Sequence, residues 1–168
     1  MHDSRRWFAV HVKSRHEFMV RERLVGAGTE VFFPTVEKLQ KWTDRTKAVR
    51  FPLFPGYLFV HIDGSQQGRL VVLKTKGVVQ FLGSTPGEPE PVPDEQIQTL
   101  IKVTESQVQL DPYPYLREGQ RVRISRGPLA GIEGLLETKK DRHVLVLSVD
   151  ILRQSTSLTI DAADVEEL

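Results

Sequence analysis

Two prolines set around a tyrosine, in Leu110-Asp111-Pro112-Tyr113-Pro114-Tyr115-Leu116, constrain this chain more than any other feature. Each proline removes a backbone donor and pushes its predecessor out of the helical region, so the stretch reads as neither helix nor sheet interior. A linker over 107–116 is expected, dividing the 168 residues into an N-terminal domain, 1–106, and a C-terminal domain, 117–168. The second is close to the lower size limit for an independent core. Charge divides with the chain. The near balance of 23 Lys+Arg against 22 Asp+Glu conceals 15 basic and 12 acidic residues in 1–106, and 8 and 10 in 107–168. Residues 1–50 alone hold 11 basic and 6 acidic residues, which suits a surface close to nucleic acid and equally an ordinary solvated face.

Several classes are excluded early. With 39% apolar and 27% charged residues the composition is that of a soluble globular protein. Zero cysteines remove disulfide frameworks, thiolate metal sites and cysteine nucleophiles, and fit a reducing compartment. The start, Met1-His2-Asp3-Ser4-Arg5-Arg6-Trp7, lacks the apolar run of a signal peptide, and nothing approaches a membrane span, so a cytoplasmic protein is expected. His2, His11, His16, His61 and His143 are scattered outside any metal-ligand spacing, and phosphate-binding glycine loops and nucleophile elbows are absent. Neither an enzyme nor a cofactor or metal is indicated.

In the N-terminal domain, Trp7 to Val12 is short, aromatic and β-branched, as in a buried strand. Val20 and Leu24 at i,i+4, flanked by Phe18 and Val25, predict an amphipathic helix over 15–25, stopped by Gly26-Ala27-Gly28. A strand over 30–36 follows, then a hairpin whose exposed tip is Trp42 to Lys47. Leu53 to Ile62 follows, and its second half is the strongest strand signal. A short helix over 68–73, a strand over 77–82, a loop over 86–91 and a helix capped by Asp94 with a stripe of Ile97, Leu100 and Ile101 complete the domain. The pattern is α+β: an antiparallel sheet with flanking helices.

The C-terminal domain differs in kind. Residues 121–126 alternate, Gly127-Pro128-Leu129-Ala130-Gly131 turns, and 132–138, 143–149 and 157–160 read as strands, which indicates a small all-β barrel. Gly119, Gly127, Gly131 and Gly134 allow a sharp reversal with small side chains at the bend, while Arg121, Arg123 and Arg126 face outward. Gly119, Gly127, Pro128, Leu129, Gly131 and Gly134 together resemble a KOW motif. The order Trp7-Phe8-Ala9-Val10, Leu53-Phe54-Pro55-Gly56-Tyr57-Leu58-Phe59-Val60, Gly77 to Gly83 and Pro91-Val92-Pro93-Asp94-Glu95 resembles the N-terminal domain of the NusG family of transcription factors. The resemblance runs from end to end, and it implies a monomer whose N-terminal domain binds the RNA polymerase clamp and suppresses pausing or termination. Its KOW domain would recruit a ribosomal protein or a termination factor.

Strand alternation puts Tyr57 and Phe59 on one side and Leu58 and Val60 on the other. With Leu58 and Val60 in the core, Phe54, Tyr57 and Phe59 would form an open aromatic patch for polymerase; alternatively Tyr57 and Phe59 pack beneath the hairpin. Lys13, Arg15, His16, Arg23, Lys74 and Lys76 are the candidate nucleic-acid contacts. In the RfaH-like specialised branch, Lys13 matches a basic residue facing the non-template DNA strand, and Lys76 matches another in charge. Gly68-Arg69-Leu70 stands where that branch carries His-Thr-Thr for a second polymerase contact, which puts that contact in doubt. The wording of 53–59 and the compact hairpin resemble the specialised antiterminators, while the intact KOW motif matches housekeeping NusG. A ribosome-associated KOW RNA binder, the reading from another class, should be strongly basic, and this chain is not. One specialised branch folds this domain as a helical hairpin over the polymerase patch. Here Gly127, Pro128, Gly131 and Gly134 oppose helix, and β-branched Val144, Val146 and Val149 favour strand, so a barrel and an open patch are expected.

Overall fold

The computed structural model describes residues 4–85 and 87–168; Met1, His2 and Asp3, and Pro86 of the expected loop over 86–91, lie outside the described residues. The chain packs as two units that divide after Asp94.

In the first unit the element order is β1 (Arg6–Val12), α1 (Glu17–Gly26), β2 (Glu30–Phe32), β3 (Thr35–Lys41), β4 (Thr46–Pro52), β5 (Tyr57–Ile62), α2 (Gln66–Leu73), β6 (Val78–Phe81) and β7 (Pro91–Val92). The sheet runs β2-β5-β1-β6, with β7 also on β1, and every pairing is antiparallel. Its centre is β1 against β5, in the register Phe8 to Val60 and Val10 to Leu58. The expected strand over 30–36 divides at Phe33-Pro34. β3 leaves the sheet there and pairs with β4 in a separate two-stranded ribbon.

One face of the sheet holds the core, in which Phe8, Val10, Val12, Leu58, Val60 and Ile62 meet Val20 and Leu24 of α1 and Val72 of α2. Val20 and Leu24 face inward as their spacing predicts, whereas Val25, expected beside them, is exposed. The other face is built of rings. Trp7 stacks on His61 at 4.6 Å, and Phe32 lies edge-on to Trp7 and parallel to Phe59 at 5.9 Å. Trp7 and Phe59 are buried there, so both faces of the central strands are covered.

The second unit comprises α3 (Asp94–Glu105), β8 (Asp111–Tyr113), β9 (Gln120–Ile124), β10 (Glu133–Lys139), β11 (Arg142–Val149), β12 (Gln154–Ile160) and β13 (Val165–Glu167). The strands form one antiparallel sheet in the order β13-β9-β10-β11-β12-β8. This is the strand-rich form expected of the C-terminal domain, not a helical hairpin. Asp94 is the first residue of α3, and the buried stripe is Ile97, Leu100 and Val103, with Ile101 half-buried.

The packing division after Asp94 falls ahead of the expected linker at 107–116. From Glu95 onward α3 groups with the C-terminal strands: the Gln96 amide donates to Asp150, and the Lys102 ammonium donates to the Ala130 carbonyl. The proline segment contains a strand after all. β8 pairs with β12, placing Pro112 opposite Thr156 at the edge of the sheet, where a missing N–H costs no ladder bond. Hydroxyls hold the backbone around it. Thr156 Oγ1 donates to the Asp111 carbonyl at 2.9 Å, Ser148 Oγ donates to the Leu116 carbonyl at 2.7 Å, and Ser155 Oγ accepts from the Leu116 amide at 3.2 Å. The Tyr115 hydroxyl donates to Asp150 at 2.7 Å, a bond that pushes the phenol above its ordinary pKa.

Gly134 lies in β10 where a methyl group would come within 2.7 Å of the Val146 carbonyl and 3.0 Å of the Leu147 side chain. Gly134→Ala should therefore strain the β10–β11 pair and lower stability by about 1–3 kcal/mol. Urea unfolding followed by strand circular dichroism checks this, and an unchanged midpoint would mean that the sheet yields locally.

Candidate polymerase and nucleic-acid surface

The edge of the first unit is assembled where three loops converge. Leaving β1, the chain is fastened twice, by Val12 N–H to the Gly56 carbonyl and by Lys13 N–H to the Gly77 carbonyl, each at 2.8 Å. Lys13 and Lys76, 63 positions apart in the sequence, thereby become neighbours in the fold. Arg15 then turns with a φ of 66°, and His16 Nδ1 lies 2.9 Å from the Ser14 carbonyl just before α1 begins. Arg23, one helical stretch further on, donates from Nη1 to the Lys76 carbonyl at 2.8 Å. Gly77 admits this close approach. Its φ is +104°, and a Cβ would lie 2.6 Å from Val20 Cγ2.

The structure thus brings Lys13, Arg15, His16, Arg23 and Lys76 to one edge, and Lys74 follows α2 in the same connection. Lys13, Arg15, Arg23, Lys74 and Lys76 are exposed. Among the described residues none of the five has a carboxylate partner: Glu22 is paired with Arg21, and Glu17 is buried and turned inward. An edge of unpaired cations is a surface that an anionic strand can approach without first breaking ion pairs.

Glu17 ties this edge to the Phe54-Pro55-Gly56-Tyr57 corner, because its Oε2 accepts the Gly56 N–H at 3.1 Å. The Tyr57 N–H closes the corner onto the Phe54 carbonyl at 3.1 Å. The expected open patch of Phe54, Tyr57 and Phe59 does not form: Phe54 is 2% exposed and Phe59 is 0% exposed. Phe59 lies in a strand covered on both sides and stacks on Phe32. Tyr57, at the strand's end, remains half-buried, with its ring 5.2 Å from that of His11 across the β1–β5 pair.

A further surface was not anticipated from the sequence. Gln66, Arg69, Leu70 and Leu73 of α2 face Gln80 and Phe81 of β6 across a cleft of about 330 Å³. Its helix side takes in Arg69 and Leu70, and Arg69 Nε is buried without a hydrogen-bond partner among the described residues. The usable signal was Leu70-Val71-Val72-Leu73, four apolar residues on a short helix that buries only Val72 fully.

In the second unit, Gly119 precedes β9, Gly127, Pro128, Leu129 and Gly131 form the turn between β9 and β10, and Gly134 is in β10. Two of the three outward arginines are engaged by acids. Arg123 bridges Glu133 at 3.1 Å and Glu166 at 3.5 Å, and Arg126 meets Asp164 at 2.8 Å.

Comparison with known proteins gives the class, that of transcription termination and antitermination proteins. The profile described as NusG, transcription termination factor nusG, matches residues 5–101, and the chain is a member of the NusG family. It is 26% identical to the transcription termination/antitermination protein NusG of Borreliella burgdorferi over 98% of this chain and 100% of that one. With the same-named protein of Pseudomonas aeruginosa it shares 26% identity, over 98% and 99% of the two chains. A solved structure, "Domain interaction in Thermotoga maritima NusG", shares the fold with a TM-score of 0.53 at 22% identity, covering 98% of this chain and 97% of that one.

Replacing Glu17 by Ala leaves the half-buried Gly56 amide without its acceptor. The expected loss is about 1–3 kcal/mol, with faster hydrogen exchange at Gly56 and Tyr57. Exchange rates equal to those of the native chain would show that the corner holds without the carboxylate.

Proposed function

We propose that this protein is a cytoplasmic, monomeric transcription elongation and antitermination factor. Its N-terminal unit binds the RNA polymerase clamp around Tyr57. Lys13, Arg15 and Lys76 lie along the exposed non-template DNA strand, with His16, Arg23 and Lys74 extending the same positive edge. Pausing or termination is suppressed, and the KOW unit recruits a further factor, such as a ribosomal protein or a termination factor. The observation that carries this reading is the family match over 5–101, joined to relatives named termination/antitermination proteins over almost the whole chain. The unpaired cations at the β1–α1 and α2–β6 loops support the DNA contact.

Within the family we favour an operon-directed paralogue, on the wording of 53–59 and the compact hairpin. The housekeeping role is the second reading, favoured by the intact KOW turn and the whole-length match. The cleft beside Arg69 offers a cation and leucines where the specialised branch carries hydroxyls, so a second polymerase contact there would use different chemistry. A ribosomal RNA binder is disfavoured because residues 107–168 hold 8 basic against 10 acidic residues, where a polyanionic partner calls for a strong basic excess.

The test is capture of core RNA polymerase. Tyr57→Ser should weaken capture about tenfold or more while the chain stays folded, since interface aromatics are often worth about 2 kcal/mol. Phe59→Ser should instead destabilise the fold, by about 3–5 kcal/mol. Capture by Tyr57→Ser as strong as by the native chain would place the interface elsewhere. Neutralising Lys13, Arg15 and Lys76 should flatten the salt dependence of binding to an elongation complex by about 0.7 in slope per lost single-strand phosphate contact. Equal slopes would remove DNA from the mechanism.

A further inference from the structure

The ribbon of β3 and β4 pairs with no other strand among the described residues, and every residue from Glu37 to Ala48 is exposed. At its end the Trp42 N–H donates to the Arg45 carbonyl at 2.7 Å, closing the turn and leaving the indole 52% exposed. An indole is a large apolar surface that folded chains mostly cover, so one held out at the tip of a ribbon calls for a partner.

The surroundings of the ring identify the chemistry of that partner. Lys41 and Arg45 flank Trp42 and Asp44, and Lys47 lies opposite Gln40. The pairs Lys41/Thr46 and Gln40/Lys47 are successive in the ladder, so the two lysines point to opposite faces of the ribbon. None of the three cations is held by a carboxylate among the described residues, whereas Arg50, lower on the same ribbon, is paired with Glu37 at 3.6 Å. Aromatic faces bordered by free cations are how proteins hold unpaired bases: the ring stacks on a base, and the cations take the neighbouring phosphates. An apolar protein groove would want a broader patch, and here Leu39 is the one other strongly exposed large apolar side chain of the ribbon. A duplex keeps its bases stacked on one another and offers the indole no free face.

We propose that the tip of the β3–β4 hairpin binds single-stranded nucleic acid, with an unpaired base stacked on Trp42 and the flanking phosphates on Lys41, Arg45 and Lys47. This contact is separate from the Lys13–Lys76 edge and does not require polymerase. The chain has two tryptophans, and Trp7 is buried against His61, so a change in exposed indole emission reports Trp42.

Titrating the full chain with thymidine and uridine oligomers of about 12 nucleotides, at about 50 mM salt, tests this directly. Emission should be quenched as either oligomer binds, and the tighter of the two identifies DNA or RNA as the source of the strand. Labelled-oligomer anisotropy should show Trp42→Ala binding about tenfold more weakly, with Trp42→Phe recovering most of the loss. A duplex of equal charge should leave the emission unchanged. Saturation without quenching, no binding of either oligomer, or native affinity in Trp42→Ala would each overturn the proposal. Polymerase capture lost with Tyr57→Ser leaves this test untouched, so the two readings fail separately.

Discussion

The antiparallel pairing of β1 with β5 is the constraint on which the first unit depends. Because successive residues of each strand point to opposite faces, this one register lines up Phe8, Val10, Leu58 and Val60 for the helices and Trp7, Ala9 and Phe59 for the ring-lined face. A slip of one residue would exchange the two sets and bring His11 and His61 into the aliphatic core. The ends of the two strands then dictate the rest. β1 must leave the sheet beside the Pro55-Gly56 corner, and that exit carries Lys13 to the carbonyl of Gly77.

Functional surface follows from where strands stop being covered. In the middle of the sheet Phe59 is sealed, so its contribution is cohesion. At the end of the same strand Tyr57 is half-buried against His11 and can still meet a partner. The basic edge obeys the same logic: hydrogen bonds between loops draw the cations together, and the nearby acids are engaged elsewhere, Glu17 by the Gly56 amide and Glu22 by Arg21. In the strand unit the outcome is opposite. Cross-strand acids neutralise Arg123 and Arg126, giving exposed pairs that add little stability but remove free positive charge.

Much of this architecture could be read from the residues. Both helices of the first unit, the hairpin with Trp42 at its tip, the turn at Gly127–Gly131 and most strands follow from alternation, helical spacing and turn chemistry, which act over a few residues. The basic candidates were legible as types. Their convergence was not, because it rests on hydrogen bonds between residues more than 50 positions apart, such as Arg23 to Lys76.

The sequence by itself determined which residues share a face, where the chain turns and that its two parts differ in kind, since sterics, side-chain periodicity and charge are local properties. Only the tertiary structure decided that Phe54 and Phe59 are sealed, and that the proline segment becomes an edge strand held by Thr156, Ser148 and Ser155. Alternation states which side a ring occupies, but whether that side meets water depends on segments far away in the chain. A proline forbids one backbone donor, but whether the loss matters depends on having a sheet edge to occupy.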